Sequence, residues 1–334
     1  MNNGACPRAL DARSILLHAS RHPLAHVASQ GLADAGVEAS DPLVLAVSGG
    51  GDSMAMLVLL AAIRSRTDRA LTSLSAVSVD HGIRADNAAE ASFACETARA
   101  LGIAASEVIP VDVRRDGNLL DAARDARLRA LSDYAYARGA AKIALAHQAD
   151  DRAEGLLLGL SRGGGLDGIA SLRASRTLDS GVTLVRPLLR ARRSDLRDFL
   201  EGVGLSWHDD PSNALRTRGA MRDDPSVSSL IDRLAVGAGL ALDEAAALAE
   251  LRDHLVAAAV PIGATSLVRS VFDQAPRPIR VAVLSRLALH AGTSIPRPVL
   301  EQCARLSADD RHPRSFDCGD GRVLRIDARA VTVD

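Results

Sequence analysis

The stretch LVLAVSGGGDSMAML, residues 43–57, decides the fold. Residues 43–48 form a short apolar run that predicts a buried strand, and the apolar run 54–63 has the length and composition of a helix. Three glycines lie between the two runs and let the backbone turn tightly. The stretch therefore predicts a strand, a glycine loop and a helix, an arrangement that α/β proteins use to bind phosphate.

The same alternation continues along the next hundred residues. Apolar runs predict strands at 74–79, 107–111 and 142–146, and longer runs predict helices at 87–101, 121–138 and 151–160. Strands and helices that alternate in this way predict a parallel, doubly wound α/β sheet, because the crossover helices cover both of its faces. Such sheets bind their ligands at the carboxyl ends of the strands.

The pattern changes after residue 186. A basic helix is predicted at 193–201, further helices at 226–260 and 279–290, and a terminal β-hairpin at 322–326 and 330–333. We therefore predict three parts of the chain: an N-terminal extension (1–23), a main domain (24–215) and a smaller, mostly helical C-terminal domain (216–334) that ends in the hairpin.

Composition excludes several classes of protein. No apolar run approaches the ~18 residues of a membrane span, and the first twenty residues lack the apolar core of a secretory signal. The four cysteines, Cys6, Cys95, Cys303 and Cys318, form no CxxC pair, which argues against a disulfide framework and against zinc or iron–sulfur sites. We expect a cytoplasmic protein that does not enter a membrane. The oligomeric state stays open, a homodimer included.

Charge is segregated along the chain. The net charge of −1 does not by itself favour a nucleic-acid binder. Between residues 186 and 222, however, eight arginines outnumber five acidic residues, whereas between 223 and 253 seven acidic residues outnumber two arginines. Arg190, Arg193 and Arg197 in the first segment are interpreted either as an RNA-facing surface or as an ordinary solvated helix face.

The glycine loop has the chemistry of a phosphate site. It consists of Ser48, Gly49, Gly50, Gly51, Asp52 and Ser53. Consecutive N–H groups and the positive end of the following helix can hold an anion, and the two serine hydroxyls can add hydrogen bonds. The loop lacks the GxxxxGK(S/T) spacing, so a Walker P-loop is not predicted. The alternative, a glycine turn without a ligand, is disfavoured by the strand and helix that flank it.

A second set of polar residues follows the strand predicted at 142–146. Asp151 and Glu154 are three residues apart, so they share a helix face near an N-terminus, where the helix dipole favours negative charge. Acidic residues in a first helical turn often only cap the helix. The spacing alone therefore leaves both capping and a functional site open.

These motifs resemble those of a known family. Residues 48–53 resemble the SGGxDS signature of the N-type ATP pyrophosphatases, the PP-loop family, whose members split ATP between its α and β phosphates. Residues 145–172 resemble the pattern AHHxDDxxETxLxxLxRGxGLxGLxxM of the tRNA(Ile)-lysidine synthetase family. The family motifs VDHGLR, GN…AR, RPLL and D(D/E)PSN are matched, in this order, at 79–84, 117–124, 186–189 and 209–213.

The match departs from the family pattern at four positions. Gln148 stands where the pattern has its second His, Gly155 where it has Thr, Leu128 where it usually has Tyr, and Gly219 where it has Asn. None of these is a residue that we expect to react. The resemblance covers residues 43–222 and is faint beyond them.

The resemblance implies a fold, a reaction and its participants. The fold is of the adenine nucleotide α-hydrolase type, with 24–215 as the ATP pyrophosphatase catalytic domain and 216–334 as a tRNA-binding or accessory domain. ATP and Mg2+ are the implied cofactors, and tRNA(Ile) with a CAU anticodon and free L-lysine are the implied substrates. The O2 atom of the wobble cytidine attacks the α-phosphate and pyrophosphate leaves. The lysine ε-amine then attacks C2 and expels AMP, which gives lysidine.

The resemblance also implies roles for individual residues. The loop 48–53 binds the phosphates, and Asp52 is both a catalytic residue and the metal ligand. Asp151 and Glu154 are catalytic and hold lysine, although spacing alone does not separate contact with lysine from contact with magnesium. The remaining roles fall to arginines: Arg124 contacts ATP, and Arg218 and Arg222 bind phosphate charge of the substrate.

Two other functions fit parts of the sequence. A different adenylating enzyme, such as a tRNA thiolase, a small-molecule amidotransferase or an NAD synthetase, would use the same loop. Thiolases with cysteine pairs are disfavoured by the cysteine spacing. A regulatory protein that senses ATP without turnover would not need Asp52, Asp151 and Glu154 together. Pyrophosphate release that depends on both tRNA and lysine would distinguish the three.

Overall fold

The structure is a computed structural model of the chain. It describes residues 12–66, 73–80, 82, 87–112, 119–170, 172–208, 217–264, 266–305, 313–318, 321–327 and 330–333. For residues 119–121, 217 and 218 it describes the backbone alone. The chain forms two compact units, Met1–Asp243 and Glu244–Asp334.

A six-stranded sheet forms the centre of the first unit. Its strands are β1 (Pro42–Ala46), β2 (Ser73–Asp80), β3 (Ser106–Pro110), β4 (Lys142–Ala144), β5 (Ser175–Thr177) and β6 (Thr183–Val185). Their order is β3-β2-β1-β4-β6-β5, and all neighbours are parallel except the antiparallel pair β5 and β6. The predicted parallel, doubly wound sheet is confirmed. The short strands β5 and β6 extend it at one edge, where the sequence predicted none.

The strand order reverses between β1 and β4, which pair directly although β2 and β3 lie between them in the chain. At such a point the crossovers leave a crevice at the carboxyl ends of the strands. The glycine loop follows β1, and the segment that begins at His147 follows β4. Both sequence motifs therefore lie at this crevice.

Helices cover both faces of the sheet. In the first unit they are α1 (Ala12–Arg21), α2 (Pro23–Asp34), α3 (Gly51–Ser65), α4 (Asn87–Ala100), α5 (Leu119–Ala137), α6 (Ala149–Ser161), α7 (Gly165–Ile169), α8 (Arg193–Gly202), α9 (Thr217–Asp223) and α10 (Pro225–Gly237). Side chains of β1 point alternately to the two faces of the sheet, so they pack into two different cores. Leu43 and Leu45 belong to the core around α3, and Val44 belongs to the core beneath α5.

The helix α3 is the most deeply buried element of the first unit. Every residue from Met54 to Ile63 is buried, because α1, α2 and α8 pack around the helix. The predicted N-terminal extension, 1–23, includes α1, whose Ile15 and Ala19 are buried in the same core. The glycine loop is thus attached to a rigid helix at one end and to a central strand at the other.

The second unit is helical and ends in a small sheet. Its helices are α11 (Gly239–Ala259), which contains the boundary between the units, α12 (Arg269–Gln274), α13 (Arg277–His290) and α14 (Arg297–Cys303), and its strands are β7 (Arg314–Asp317), β8 (Val323–Ile326) and β9 (Val331–Val333). The predicted hairpin is confirmed as β8 and β9, and β7 makes it a three-stranded antiparallel sheet. Among the residues that the structure describes, no helix is long and apolar enough to cross a membrane.

One predicted helix is two helices. The segment 226–260 contains α10 and α11, and Ala238 forms the C-cap between them. Gly237 and Gly239 flank this cap, and glycine has a low helix propensity because it loses the most backbone entropy on folding. The composition of the segment, rich in Ala and Leu, concealed the break.

Candidate active site

The glycine loop leads from β1 into the N-terminus of α3. Val47 continues the ladder through a hydrogen bond from its N–H to the carbonyl oxygen of Val77, at 2.9 Å. The helix begins at Gly51, and its N-cap, Gly50, has no side chain to bond the first amides. The N–H groups of the first turn and the positive end of the helix dipole are therefore available to an anion.

The two serines of the loop hold its ends together. The Ser53 hydroxyl donates to the carbonyl oxygen of Gly50 at 2.8 Å and accepts from the Ser48 N–H at 3.1 Å. The two hydroxyl oxygens, of Ser48 and Ser53, are 3.2 Å apart. The serines thus stabilise the loop itself, in addition to any contact with phosphate.

Two of the three glycines are required by their surroundings. Gly49 has φ +83°, a left-handed conformation that side chains disfavour, and a Cβ there would lie 3.0 Å from the carbonyl oxygen of Glu90. A Cβ on Gly51 would lie 3.3 Å from the Trp207 ring. Trp207 packs against the α3 core, so its indole forms a wall beside the loop.

The residue Gln148 caps the helix α6 that follows β4. Its Oε1 accepts hydrogen bonds from the N–H groups of Asp150 at 2.5 Å and Asp151 at 3.3 Å. Asp151 Oδ2 in turn accepts from the Gln148 N–H at 3.2 Å, which completes a capping box. Capping, the alternative that the sequence left open for Asp151, is therefore real, and it uses only one of the two carboxylate oxygens.

The other oxygen of Asp151 belongs to a cluster centred on Arg193, at the N-terminus of α8. The Arg193 guanidinium lies 3.1 Å from Asp151 Oδ1 and 3.4 Å from Glu154 Oε1. Its Nε lies 3.8 Å from Asp52 Oδ2. The three predicted acidic residues thus converge on one guanidinium, although they come from two different motifs. We call this set, with Arg222, the acidic cluster.

Arg222, on α9, binds the deepest of these carboxylates. Its Nε and Nη2 donate to the two oxygens of Glu154, at 2.6 and 3.0 Å, and its Nη2 lies 3.7 Å from Asp151 Oδ1. The Glu154 side chain is fully buried, and the Arg222 side chain that covers it stays partly exposed. Burial disfavours the charged guanidinium, but the bonds to Glu154 outweigh it and raise the pKa of Arg222.

Burial and neighbouring charges shift the pKa of Asp52 in the acidic cluster. Burial raises the pKa of Asp52 to about 6, Arg193 opposes the rise, and the neighbouring Asp151 adds to it. The five named side chains are three carboxylates and two guanidiniums, which sum to one negative charge when all are ionised, and Arg197 also attracts Asp52. A cation bound beside Asp52 would favour its charged form.

Gln148 also presents a buried donor beside this cluster. Its Nε2 is buried, and among the described residues it has no hydrogen-bond partner of normal geometry. The amide is close enough to Asp52 to favour the charged form of that carboxylate. A buried donor without an acceptor costs free energy, so an incoming acceptor such as a phosphate oxygen would be favoured at this position.

The basic segment is largely paired within the fold. Arg192 binds Asp150 through two hydrogen bonds, at 3.0 and 3.2 Å, and Asp232 at 2.6 Å. Burial favours the neutral acid, but the bonds from Arg192 and from the Arg193 N–H hold the pKa of Asp150 below its usual value. Arg193 is a member of the acidic cluster and not of an RNA-facing helix surface, which corrects the prediction for that residue.

The other predicted residues divide into two groups. Arg124 is exposed on α5 and lies close enough to Arg186 to repel it. The predicted motifs at 81, 83–84, 117–118 and 209–213 lie outside the described residues, as does the side chain of Arg218. Arg193 and Gln148 were missed as site residues, because a basic run and a departure from the family pattern gave no signal of their contacts.

A doubly wound sheet with a phosphate-binding loop and an acidic cluster at its switch point defines a nucleotide-binding α/β protein of the PP-loop class. Residues 22–224 match the model of the PP-loop domain family. The tRNA(Ile)-lysidine synthase of Novosphingobium aromaticivorans is 33% identical over 271 residues, which are 78% of this chain and 80% of that protein. The chain therefore belongs to the tRNA(Ile)-lysidine synthase family of PP-loop proteins.

Further relatives match mainly the first unit. The tRNA(Ile)-lysidine synthase of Ruegeria pomeroyi is 44% identical over 171 residues, 51% of this chain and 40% of that protein. That of Rhodococcus jostii is 41% identical over 213 residues, 64% of this chain and 59% of that protein. In these two relatives the match thus spans less than two thirds of the protein.

A solved structure supports the fold alone. The U34-tRNA thiolase from Methanococcus maripaludis superposes with a TM-score of 0.52 at 17% sequence identity, over 68% of this chain and 78% of that chain. At this identity the likeness extends to the arrangement of the sheet and its helices and not to the chemistry. Together with the match to the PP-loop domain family, this likeness confirms the α/β fold predicted for the first unit.

Proposed function

We propose that the protein ligates free L-lysine to C2 of the wobble cytidine of tRNA(Ile) with a CAU anticodon, with ATP as the energy source and lysidine, AMP and pyrophosphate as products. One observation carries the proposal: Asp52, from the phosphate loop, and Asp151 and Glu154, from the second motif, meet at one guanidinium. Phosphate binding and the acidic residues are thus parts of a single site at the switch point of the sheet.

The first step in this proposal is adenylation of the cytidine. The amides at the start of α3 and the buried amide of Gln148 hold the phosphates, and the O2 atom of the cytidine attacks the α-phosphate. The bond between the α- and β-phosphates breaks and pyrophosphate leaves. Fixed donors at this position stabilise the negative charge that grows on the phosphates in the transition state.

Magnesium fits the loop but not a cage of protein ligands. Among the described residues there is no group of three or more His, Cys, Asp or Glu side chains that could hold a metal ion. Mg2+ commonly uses only one or two carboxylates together with substrate phosphates and water, and Asp52 has a partly exposed carboxylate beside the loop. In this proposal Asp52 holds Mg2+, which would neutralise charge on the phosphates.

The second step is attack by lysine. The excess negative charge of the acidic cluster suits an ammonium group. Asp151 and Asp52 retain some exposure, whereas Glu154 is fully buried beneath Arg222. We therefore assign direct contact with lysine to Asp151, and to Glu154 the positioning of Arg193 and Arg222. The amine, with an ordinary pKa near 10.4, must lose its proton before it attacks C2 and expels AMP.

The decisive experiment is a reconstitution. The protein is incubated with ATP, labelled lysine and unmodified tRNA(Ile), and the RNA is then digested to nucleosides. We expect labelled lysidine together with equal amounts of AMP and pyrophosphate, and no lysidine when ATP is omitted. Pyrophosphate release without tRNA would favour a small-molecule substrate, and ATP binding without any pyrophosphate would favour a regulatory protein. Cytoplasmic location and a homodimer stay predictions.

A further inference from the structure

A second polar cluster lies at the same edge of the sheet, outside the acidic cluster. Arg186 directly follows β6 and is 5% exposed. Its Nε donates to His147 Nδ1 at 3.2 Å, and its Nη1 donates to the carbonyl oxygen of Arg173 at 2.7 Å. Both acceptors are uncharged. Within the described part of the chain, no acidic side chain forms an ion pair with Arg186.

Among the described residues, the charged groups that act on Arg186 have the same sign as its guanidinium. Arg176 lies on β5 and pairs with Leu184, two residues before Arg186, and the Arg186 N–H bonds the carbonyl oxygen of Ala174 at 2.9 Å. Arg124, on α5, lies close enough for its charge to repel that of Arg186. Burial, with repulsion from Arg176 and Arg124, lowers the pKa of Arg186 to about 10.

Such an arrangement is unfavourable without a ligand. A buried charge is costly unless an opposite charge compensates it, and in the described part of the chain Arg186 has neutral acceptors alone. Arg176 and Arg124 are exposed, so a large molecule can reach them. Arginine has a planar fork of donors that matches the oxygens of a phosphate. The cluster therefore has the charge, the geometry and the access of a phosphate site.

We propose that Arg186 and Arg176 bind a phosphate of the RNA backbone next to the reacting cytidine, and that Arg124 adds positive charge beside them. The inference rests on the proposed function for its RNA substrate. The triphosphate of ATP is assigned to the loop after β1, and β6 lies two strands away, roughly 10 Å across the sheet. A backbone phosphate at β6 would fix the register of the anticodon loop, since phosphate contacts position a nucleic acid.

Arg176 tests this site without disturbing the core, because its side chain is exposed and has no implied contact with ATP. Arg176→Gln is compared with Arg129→Gln, an exposed arginine on α5, as the matched control. Affinity for unmodified tRNA is measured across a salt series, and ATP affinity is measured separately. We expect tRNA affinity to fall roughly tenfold for each lost contact, and the slope of log affinity against log salt to fall by about 0.7 to 0.9 for each. ATP affinity and the control stay unchanged.

Two results would overturn the inference. If Arg176→Gln keeps the tRNA affinity and salt slope of the wild type, the cluster binds no RNA phosphate. If ATP affinity falls while the salt slope for tRNA is unchanged, the phosphate belongs to the nucleotide and the RNA assignment is wrong. Because binding is measured without turnover, failure of the proposed ligation is seen separately, as a wild-type protein that makes no lysidine.

Discussion

Two clusters of opposite character occupy one edge of the same sheet. The acidic cluster, at β1 and β4, has three carboxylates around Arg193 and Arg222 and one negative charge in excess. The cluster at β6 has Arg186 with Arg176 and Arg124 nearby and no paired carboxylate among the described residues. In each cluster burial disfavours the charged form of one side chain, Asp52 in the first and Arg186 in the second.

In the proposed function the two clusters serve two kinds of ligand. The acidic cluster would take a cation, the ammonium group of lysine, and the arginine cluster would take an anion, a phosphate of the RNA backbone. The reacting base would then lie over β4, the strand between β1 and β6.

The largest expected effect is that of Asp52→Ala. The substitution removes the carboxylate nearest the phosphate loop, and we expect pyrophosphate release to fall by about 100-fold or more. The far-ultraviolet circular dichroism spectrum should be unchanged. Asp133→Ala, an exposed aspartate on α5, is the control. Turnover within a factor of about two of the wild type would remove Asp52 from the mechanism.

The two acids on α6 should fail in different ways. In Asp151→Ala we expect one round of pyrophosphate release and accumulation of adenylated tRNA, because lysine loses its contact. Glu154→Ala leaves Arg193 and Arg222 without their buried partner, and we expect the free energy of unfolding to fall by about 3–5 kcal/mol. Pyrophosphate release and chemical denaturation measure the two effects. A block before pyrophosphate release in Asp151→Ala would reassign that residue to ATP or magnesium.

The pH dependence should report Asp52. Its pKa is raised from 3.8 to about 6 in the folded protein, so ionisation costs stability. The contribution of Asp52 to the free energy of unfolding is full below pH 3.8 and is lost as pH rises through about 6. Asp52→Asn should abolish this part of the pH profile. Activity should rise through the same range, because the charged carboxylate is the active form.

Substitution of Arg193 tests whether Asp52 controls the pH–rate profile. Arg193 favours the charged form of Asp52, so Arg193→Gln should move the midpoint of the pH–rate profile to higher pH. Arg197→Gln, on the same helix, provides a comparison with a weaker influence on Asp52, since its attraction ranks below that of Arg193. An unchanged midpoint in Arg193→Gln would show that another group controls the profile.

A smaller effect is expected at Gln148. Gln148→Ala removes the cap of α6 and should lower the free energy of unfolding by about 1 kcal/mol. It should also weaken ATP binding if the buried amide contacts phosphate. Gln148→Asn, which shortens the side chain and keeps the amide, is the comparison. If both variants bind ATP with the affinity of the wild type, Gln148 caps α6 and does not contact phosphate.

The smallest effect is expected at Arg190. Its side chain is 54% exposed, and it pairs with Asp34 at 3.2 Å and Asp243 at 3.4 Å, both of which are also exposed. Surface pairs of this kind contribute at most about 1 kcal/mol. We expect Arg190→Gln to leave the salt dependence of tRNA binding unchanged. If the slope of log tRNA affinity against log salt is lower in Arg190→Gln than in Arg129→Gln, Arg190 contacts RNA, as the charge pattern predicted.

The sequence indicated the strands and helices that carry the site. The strand before Ser48 and the helix after Ser53 were predictable, because apolar periodicity and glycine punctuation act locally. The strands β5 and β6 were not, because each has three residues and no periodicity to detect. The break at Ala238 was hidden by a helix-forming composition. The limits of the predicted domains stay predictions.

The sequence alone identified the phosphate loop and the candidate residues Asp52, Asp151 and Glu154, because motifs keep their spacing along the chain. Their charge balance came only from the tertiary structure. Arg193 and Arg222 reach Glu154 from residues 39 and 68 positions away, and Arg186 reaches His147 across 39 positions. The packing of distant segments at the sheet edge decides which arginine lies beside a carboxylate and which lies among other cations. The order of charges along the chain does not show which residues are close in space.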